Sequence, residues 1–263
     1  MHLLRSLRSS LRATAALTAA TALTAGLALS PTTAARADEG TDGPAYGAPA
    51  VGKCHDYGKR VYWSESDTKP AVPCAQDHTA YTVAVPSLPD GLDYDQPTPE
   101  KFYSKVSNQV LPACATALRK ALDTNWRTYM KTAYRLAWFV PTEEQIAHGA
   151  RWIRCDLVLK SGIGSLQDLP ARKPALKRIT KAERACIVLD SDGSGWETGC
   201  NRKHHYKATH NHQIPKSTYP SDKRFNRLAA KHCAGKKYWW AQVGSRAEWR
   251  AGNRVLQCYA LDV

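Results

Sequence analysis

The eight cysteines of this chain fall into two ordered sets of four with the same short motifs around each, which restricts the fold to a small cross-linked unit present twice. The first set runs Cys54, Cys74, His78, Cys114 and then Gly149-x-Arg151-x3-Cys155. The second runs Cys186, Cys200, His204, Cys233 and then Gly252-x-Arg254-x3-Cys258. Three residues before each glycine stands a large apolar side chain, Ile146 or Trp249. Four cysteines per set allow three pairings. Consecutive pairing is expected, because it would join neighbouring strands or a helix to the closing strand: Cys54 with Cys74, Cys114 with Cys155, Cys186 with Cys200, and Cys233 with Cys258.

The N-terminus predicts the compartment in which such bonds persist. Arg5, Arg8 and Arg12 precede an apolar stretch over 13–29, and Ala35-Arg36-Ala37 has the A-x-A form of a cleavage site, so residues 1–37 read as a signal peptide. Outside the cytosol, an even set of cysteines without close C-x2-C pairs reads as disulfides and not as thiolate zinc ligands. Cleavage removes four arginines and no acid, taking the formal charge from +14 to +10. The excess is uneven: residues 54–155 carry 12 Lys/Arg against 11 Asp/Glu, and residues 186–263 carry 13 against 6. An anionic cell-envelope polymer or an envelope protein is therefore the expected partner, with peripheral membrane contact allowed and nucleic acid disfavoured. Lys236, Lys237, Arg246 and Arg250, around the aromatic run Tyr238-Trp239-Trp240, are the basic residues expected to matter most.

Hydrophobic patterning predicts an α+β fold of two tandem related small domains, each a small antiparallel sheet with one or two helices. The proposed organisation is a flexible Gly/Pro-rich lead-in over 38–51, a first domain over 52–170, a basic linker over 171–185 and a shorter second domain over 186–263. Tyr81–Val85 alternates as a strand ended by Pro86, and Trp138–Val140 is a strand ended by Pro141. Val106, Val110, Leu111, Leu118 and Leu122 have helical spacing around Cys114, with Pro112 a kink. Arg151–Leu159 reads as a closing strand. The first copy carries an extra helix or hairpin over about 120–134.

Four features together resemble one family. They are Val51-Gly52-Lys53-Cys54, the V-x-C-x3-H of Val72 to His78, the helical Cys114, and the W-x2-G-x-R-x3-C of Trp249 to Cys258. This frame is similar to the septum formation-related domain of actinobacterial exported or membrane-anchored proteins, over residues 51–164 and again over 186–260. The pattern departs at Tyr81 and Lys207, where the family carries an acidic residue, and at Ile146, where it carries Trp. A role in cell division is what the resemblance implies; it brings no catalytic residues with it.

The densest titratable cluster is His204 to His212. On a strand, His204, His210 and His212 would share a face and could hold zinc or copper, but no carboxylate or thiolate completes the set. His78 and His204 are read as structural, each bonding a backbone carbonyl beside a disulfide. Gly149 and Gly252 are read as positive-φ turns, Arg151 and Arg254 as a salt bridge or carbonyl clamp, and Ile146 and Trp249 as buried plugs. Asp190–Gly195 reads as a hairpin turn and not a calcium loop. The chain contains no G-x-S-x-G, H-E-x-x-H, P-loop or C-x2-C redox motif. The reading is a secreted, non-enzymatic envelope protein with no cofactor. The alternative is an exported wall hydrolase, metal-dependent through the second set of histidines.

Overall fold

The structure, a computed structural model, describes residues 41–94, 98–171, 175–235 and 239–262, within one compact unit, Ala37–Val263. The expected signal peptide and the Lys236-Lys237-Tyr238 segment lie outside the described residues. Among the described residues no helix is long and apolar enough to cross a membrane.

The N-terminal half is built from β1 (Cys54–His55), α1 (Lys59–Tyr62), β2 (Ala80–Ala84), α2 (Pro99–Gln109), α3 (Leu111–Ala121), α4 (Trp126–Tyr129), β3 (Tyr134–Phe139), α5 (Glu143–Ala147), β4 (Arg154–Lys160) and β5 (Leu166–Gln167). Its antiparallel sheet has the order β1-β2-β4-β3, with β5 also on β4. The C-terminal half contains β6 (Ala185–Leu189), β7 (Gly195–Gly199), β8 (Tyr206–Gln213), α6 (Asp222–Cys233), β9 (Trp239–Val243), α7 (Arg246–Arg250) and β10 (Val255–Leu261), with the order β7-β6-β8-β10-β9. The turn between β6 and β7 is closed by Ser194 N–H on the Asp190 carboxylate at 2.9 Å.

Local chemistry explains the helix boundaries. Thr98 caps α2, accepting from Lys101 N–H, and Pro99 begins it with a φ already suited to a helix. Pro112 has no N–H for the Asn108 carbonyl, and its ring crowds that carbonyl. The expected single kinked helix is consequently two, α2 and α3, separated at Val110. The stretch 120–134, expected to hold a helix or hairpin, contains the end of α3, the short helix α4 and the start of β3.

The disulfides join Cys54 to Cys74, Cys114 to Cys155, Cys186 to Cys200 and Cys233 to Cys258, and no cysteine is free. Four such bonds suit a chain folded in an oxidising compartment outside the cytosol.

β4 is buried at all seven positions because both faces are covered. Cys155, Leu157 and Leu159 pack in the core with Val106, Leu118 and Leu122 of the helical layer. The opposite face lies under the β1–α1 segment, where Val158 packs with Tyr57 and Phe139. On that face Arg154 donates to Asp156 at 3.0 Å and to Asp67 at 2.8 Å, while Asp156 also accepts from Thr82 at 2.8 Å and Tyr57 at 3.2 Å. His55 is buried beside Arg154, and its Nε2 has no hydrogen-bond partner. Burial, then the Arg154 charge, hold its pKa below the usual 6.5. The unfolded chain therefore takes up this proton first as pH falls. Stability is expected to decline with acidification below pH 6.5, and His55→Phe to flatten that limb in urea melts taken over a pH series. An unchanged slope in the variant would remove His55 from the account.

The halves share a core. Ala247 and Val255 belong to the same apolar cluster as Leu118 and Leu157, and Tyr129 donates to Glu248 at 2.5 Å. Asn211 donates to the Arg127 carbonyl at 2.7 Å and accepts from its Nε at 3.1 Å. The segment expected to be a linker is tied to the N-terminal half, with Leu176 N–H on Leu122 and Ala185 N–H on Lys131, each at 2.8 Å. The lead-in, expected to be flexible, is docked as well: Trp152 Nε1 donates to the Tyr46 carbonyl at 2.9 Å, and Tyr46 stacks on His148. Its glycines signal flexibility by composition, but Tyr46 supplies a ring large enough to anchor it.

One expected burial is corrected. Trp249 is buried, whereas Ile146 is only half-buried. Helix α7 packs against α2 and α3 of the other half, and Trp249 sits against Tyr219, Cys233 and Leu256. Helix α5 has no such cover, so Ile146 lines a surface pocket with Tyr94 and Val140.

Candidate functional site

A cleft of about 690 Å³ opens between the two sheets, bordered by β3, β7 and β9, each an outer strand of its sheet. Tyr62 and Trp63 reach it from α1, Arg135 and Trp138 from β3, Lys160 from the end of β4, and Trp196 and Glu197 from β7. Trp63 is 58% exposed and packs edge-on against Tyr62, with ring centres 5.3 Å apart. Gly164 (φ +59°) lies against the indole of Trp63, where any Cβ would collide with Nε1. Trp196 is fixed by its Nε1 donating to Asp190 at 2.7 Å. Three half-exposed or exposed indoles, Trp63, Trp138 and Trp196, line this one cleft and offer apolar plates on which a flat ligand face can stack.

Both glutamates of the cleft are held by groups of the other half. Arg135 forms an ion pair with Glu197 and donates to the carbonyls of Thr132 and Tyr134 at 2.9 and 2.6 Å. Burial is the largest influence and works against its charge, but Glu197, Tyr129 and Tyr259 together outweigh it and keep the guanidinium protonated. Glu248 accepts from Tyr129 and from its own capping-box partner Ser245 N–H at 2.8 Å. Lys160 is 6% exposed, with Nζ 4.0 Å from the centre of the Tyr62 ring. Burial pushes its pKa down to about 8; Glu197 opposes this and Arg135 adds to it. Amine-selective acylation followed across pH is expected to label Lys160 with a midpoint near pH 8, well below the ordinary lysine value of about 10.4. A midpoint at the ordinary value would contradict the geometry of this wall.

The residues singled out by sequence lie mostly outside the cleft. His78 and His204 each present Nδ1 to the carbonyl two residues upstream, Gln76 at 2.8 Å and Arg202 at 2.6 Å. Gly149 and Gly252 have φ of +85° and +98°. Arg151 forms an ion pair with Asp93 and donates to the Leu92 carbonyl at 3.1 Å, and Arg254 lies over the Trp249 ring at 5.6 Å. The alternative metal set does not converge. His204 precedes β8 and binds Asp262, His210 Nε2 bonds the His232 carbonyl at 2.7 Å, and His212 stacks on the His232 ring at 3.6 Å. A β-bulge in β8 breaks the period-2 alternation that would have aligned them. Among the described residues, the one ligand-like cluster is Cys186, Cys200 and His204, and its two sulfurs are joined in a disulfide.

Sequence reasoning missed the cleft itself: Trp63, Arg135, Lys160, Trp196 and Glu197 come from separated segments, and no local motif joins them. The sequence profile of the Septum formation family matches residues 51–258, from just before the first cysteine to the last. The chain belongs to the Septum formation family. In this Septum formation protein the matched region contains all four disulfides, every wall of the cleft and both sheets save the last three residues of β10. No curated protein and no solved structure matches the chain.

Proposed function

We propose that the mature chain is a secreted, non-enzymatic binding protein of the cell envelope, acting at the septum, built from two copies of one unit with a wall glycan held in the cleft between them. The duplication is supported by matched strand order, β1-β2-β4-β3 beside β6-β8-β10-β9. Register agrees: Cys54 faces Val72 and Tyr81, and Cys186 faces Thr198 and Lys207, positions equally placed around the two C-x3-H motifs. An extra residue bulges from β2 opposite β4 near Cys155, and from β8 opposite β10 near Cys258. Both short helices before the closing strands begin with capping boxes, Thr142/Gln145 and Ser245/Glu248.

The observation that carries the binding role is the set of indoles at Trp63, Trp138 and Trp196 lining one cleft. The apolar faces of sugar rings stack on such plates, and the flanking polar groups meet their hydroxyls. Glu197 and Glu248 are each engaged, with Arg135 and with Tyr129 and Ser245, which supports a binding role over general acid–base work. The test is sedimentation of the mature chain with isolated cell walls. Removing one indole takes away ~50 Å² of apolar contact, worth ~1.3 kcal/mol, so Trp63→Ala or Trp196→Ala is expected to weaken binding about tenfold. Unchanged binding by both variants would refute the cleft. Release of soluble sugar or peptide fragments from the walls would favour the hydrolase alternative.

A further inference from the structure

Beside the cleft, helices α2 and α7 enclose a groove of about 440 Å³ lined by Tyr103, Ser104, Ser107, Asn108, Arg246 and Arg250. The lining contains two guanidinium groups and no carboxylate. Arg246 and Arg250 stand one turn apart on the same face of α7, where like charges repel. Neither forms an ion pair among the described residues; the acid between them, Glu248, is turned inward to Tyr129. Arg246 rests on the Tyr219 ring at 4.6 Å, which steadies the side chain without occupying its N–H donors.

We propose that this groove is an anion subsite for the phosphodiester of a glycosyl- or polyol-phosphate wall polymer, continuous with the cleft. The proposal rests on the glycan reading of that cleft. Guanidinium forks bind phosphate oxygens bidentately, and the hydroxyls and amide of Ser104, Ser107 and Asn108 supply further donors. The two sites adjoin through residues in contact. Tyr219 lines the cleft and supports Arg246, while Tyr103 lines the groove and packs edge-on against Trp138 of the cleft, with ring centres 5.6 Å apart. A polymer with one sugar on the indoles thus brings its next phosphate to the arginines.

The test compares the mature chain with R246Q/R250Q, R246K/R250K and Trp63→Ala variants on untreated walls, on walls stripped of phosphodiester polymers by hydrofluoric acid, and on vesicles of anionic phospholipid. The glutamine pair is expected to bind untreated walls at least tenfold more weakly, with a flatter salt dependence, and the lysine pair to lie between. On stripped walls the glutamine pair is expected to match the parent, while Trp63→Ala stays weakened. Three results would overturn the subsite: equal binding of parent and glutamine pair to untreated walls, parent binding that stripping leaves unchanged, or arginine-dependent binding to vesicles alone. Loss of wall binding by Trp63→Ala alongside any of these leaves the cleft reading intact and removes only the anion subsite.

Discussion

Replacing Arg154 with leucine is expected to lower the stability of the folded chain by about 3–5 kcal/mol, the cost of breaking a buried ion pair and leaving charge without a partner. Arg154, the first residue of β4, is buried on the covered face of the N-terminal sheet between Asp67 and Asp156, whose side chains are fully buried. Without the guanidinium, two carboxylates would remain in a site closed off by Tyr57 and Phe139, whose rings flank it. Asp156 would keep its bonds from Thr82 and Tyr57, but Asp67 would lose the charged donor that faces it. Urea melting of the variant at neutral pH measures the effect. A loss below 1 kcal/mol would mean that water reaches this layer and that α1 does not seal it.

Trp249→Ala is expected to cost a similar 3–5 kcal/mol, as large-to-small changes of buried aromatic residues do. The ring is 3% exposed, meets Tyr219 edge-on at 5.3 Å and donates through Nε1 to the Ser217 carbonyl at 2.5 Å. Its removal would leave a cavity beside the Cys233–Cys258 disulfide and an unpaired carbonyl. The corresponding Ile146→Ala change, at a half-buried site, is expected to cost only about 1 kcal/mol. Equal losses at the two positions would contradict the different cover of α5 and α7. Unchanged melting of Trp249→Ala with lost wall binding would make this indole a ligand contact.

These expectations show where reading from sequence succeeds and where it stops. Cysteine order pointed to the consecutive disulfides because each set of four pairs first with second and third with fourth, the later pair tying a helix to the closing strand of its half. The glycines at 149 and 252 were readable because each follows a short capped helix and takes a positive φ. Pro112 was readable as a disturbance, but whether it kinks a helix or divides it depends on how α2 and α3 pack. Arg154 and Asp156 alternate with the apolar residues of β4 and look like a solvent face. Only the placement of α1 over the sheet makes them buried, and that is a long-range contact. The cleft is harder still, since Trp63, Trp138 and Trp196 come from three segments and meet only when the two sheets are docked. The histidine cluster misled in the opposite sense: proximity in sequence suggested a shared face, but His204 precedes β8 and a bulge interrupts the strand between it and His212.

The most direct test of the central claim follows the indole N–H signals of the eight tryptophans by NMR while soluble wall fragments are added to the mature chain. The account predicts that the Trp63, Trp138 and Trp196 signals shift together with one saturation curve, while those of buried Trp152 and Trp249 stay in place. Shifts confined to tryptophans outside the cleft, such as Trp126 and Trp239, with the three cleft signals unmoved at saturation, would contradict it.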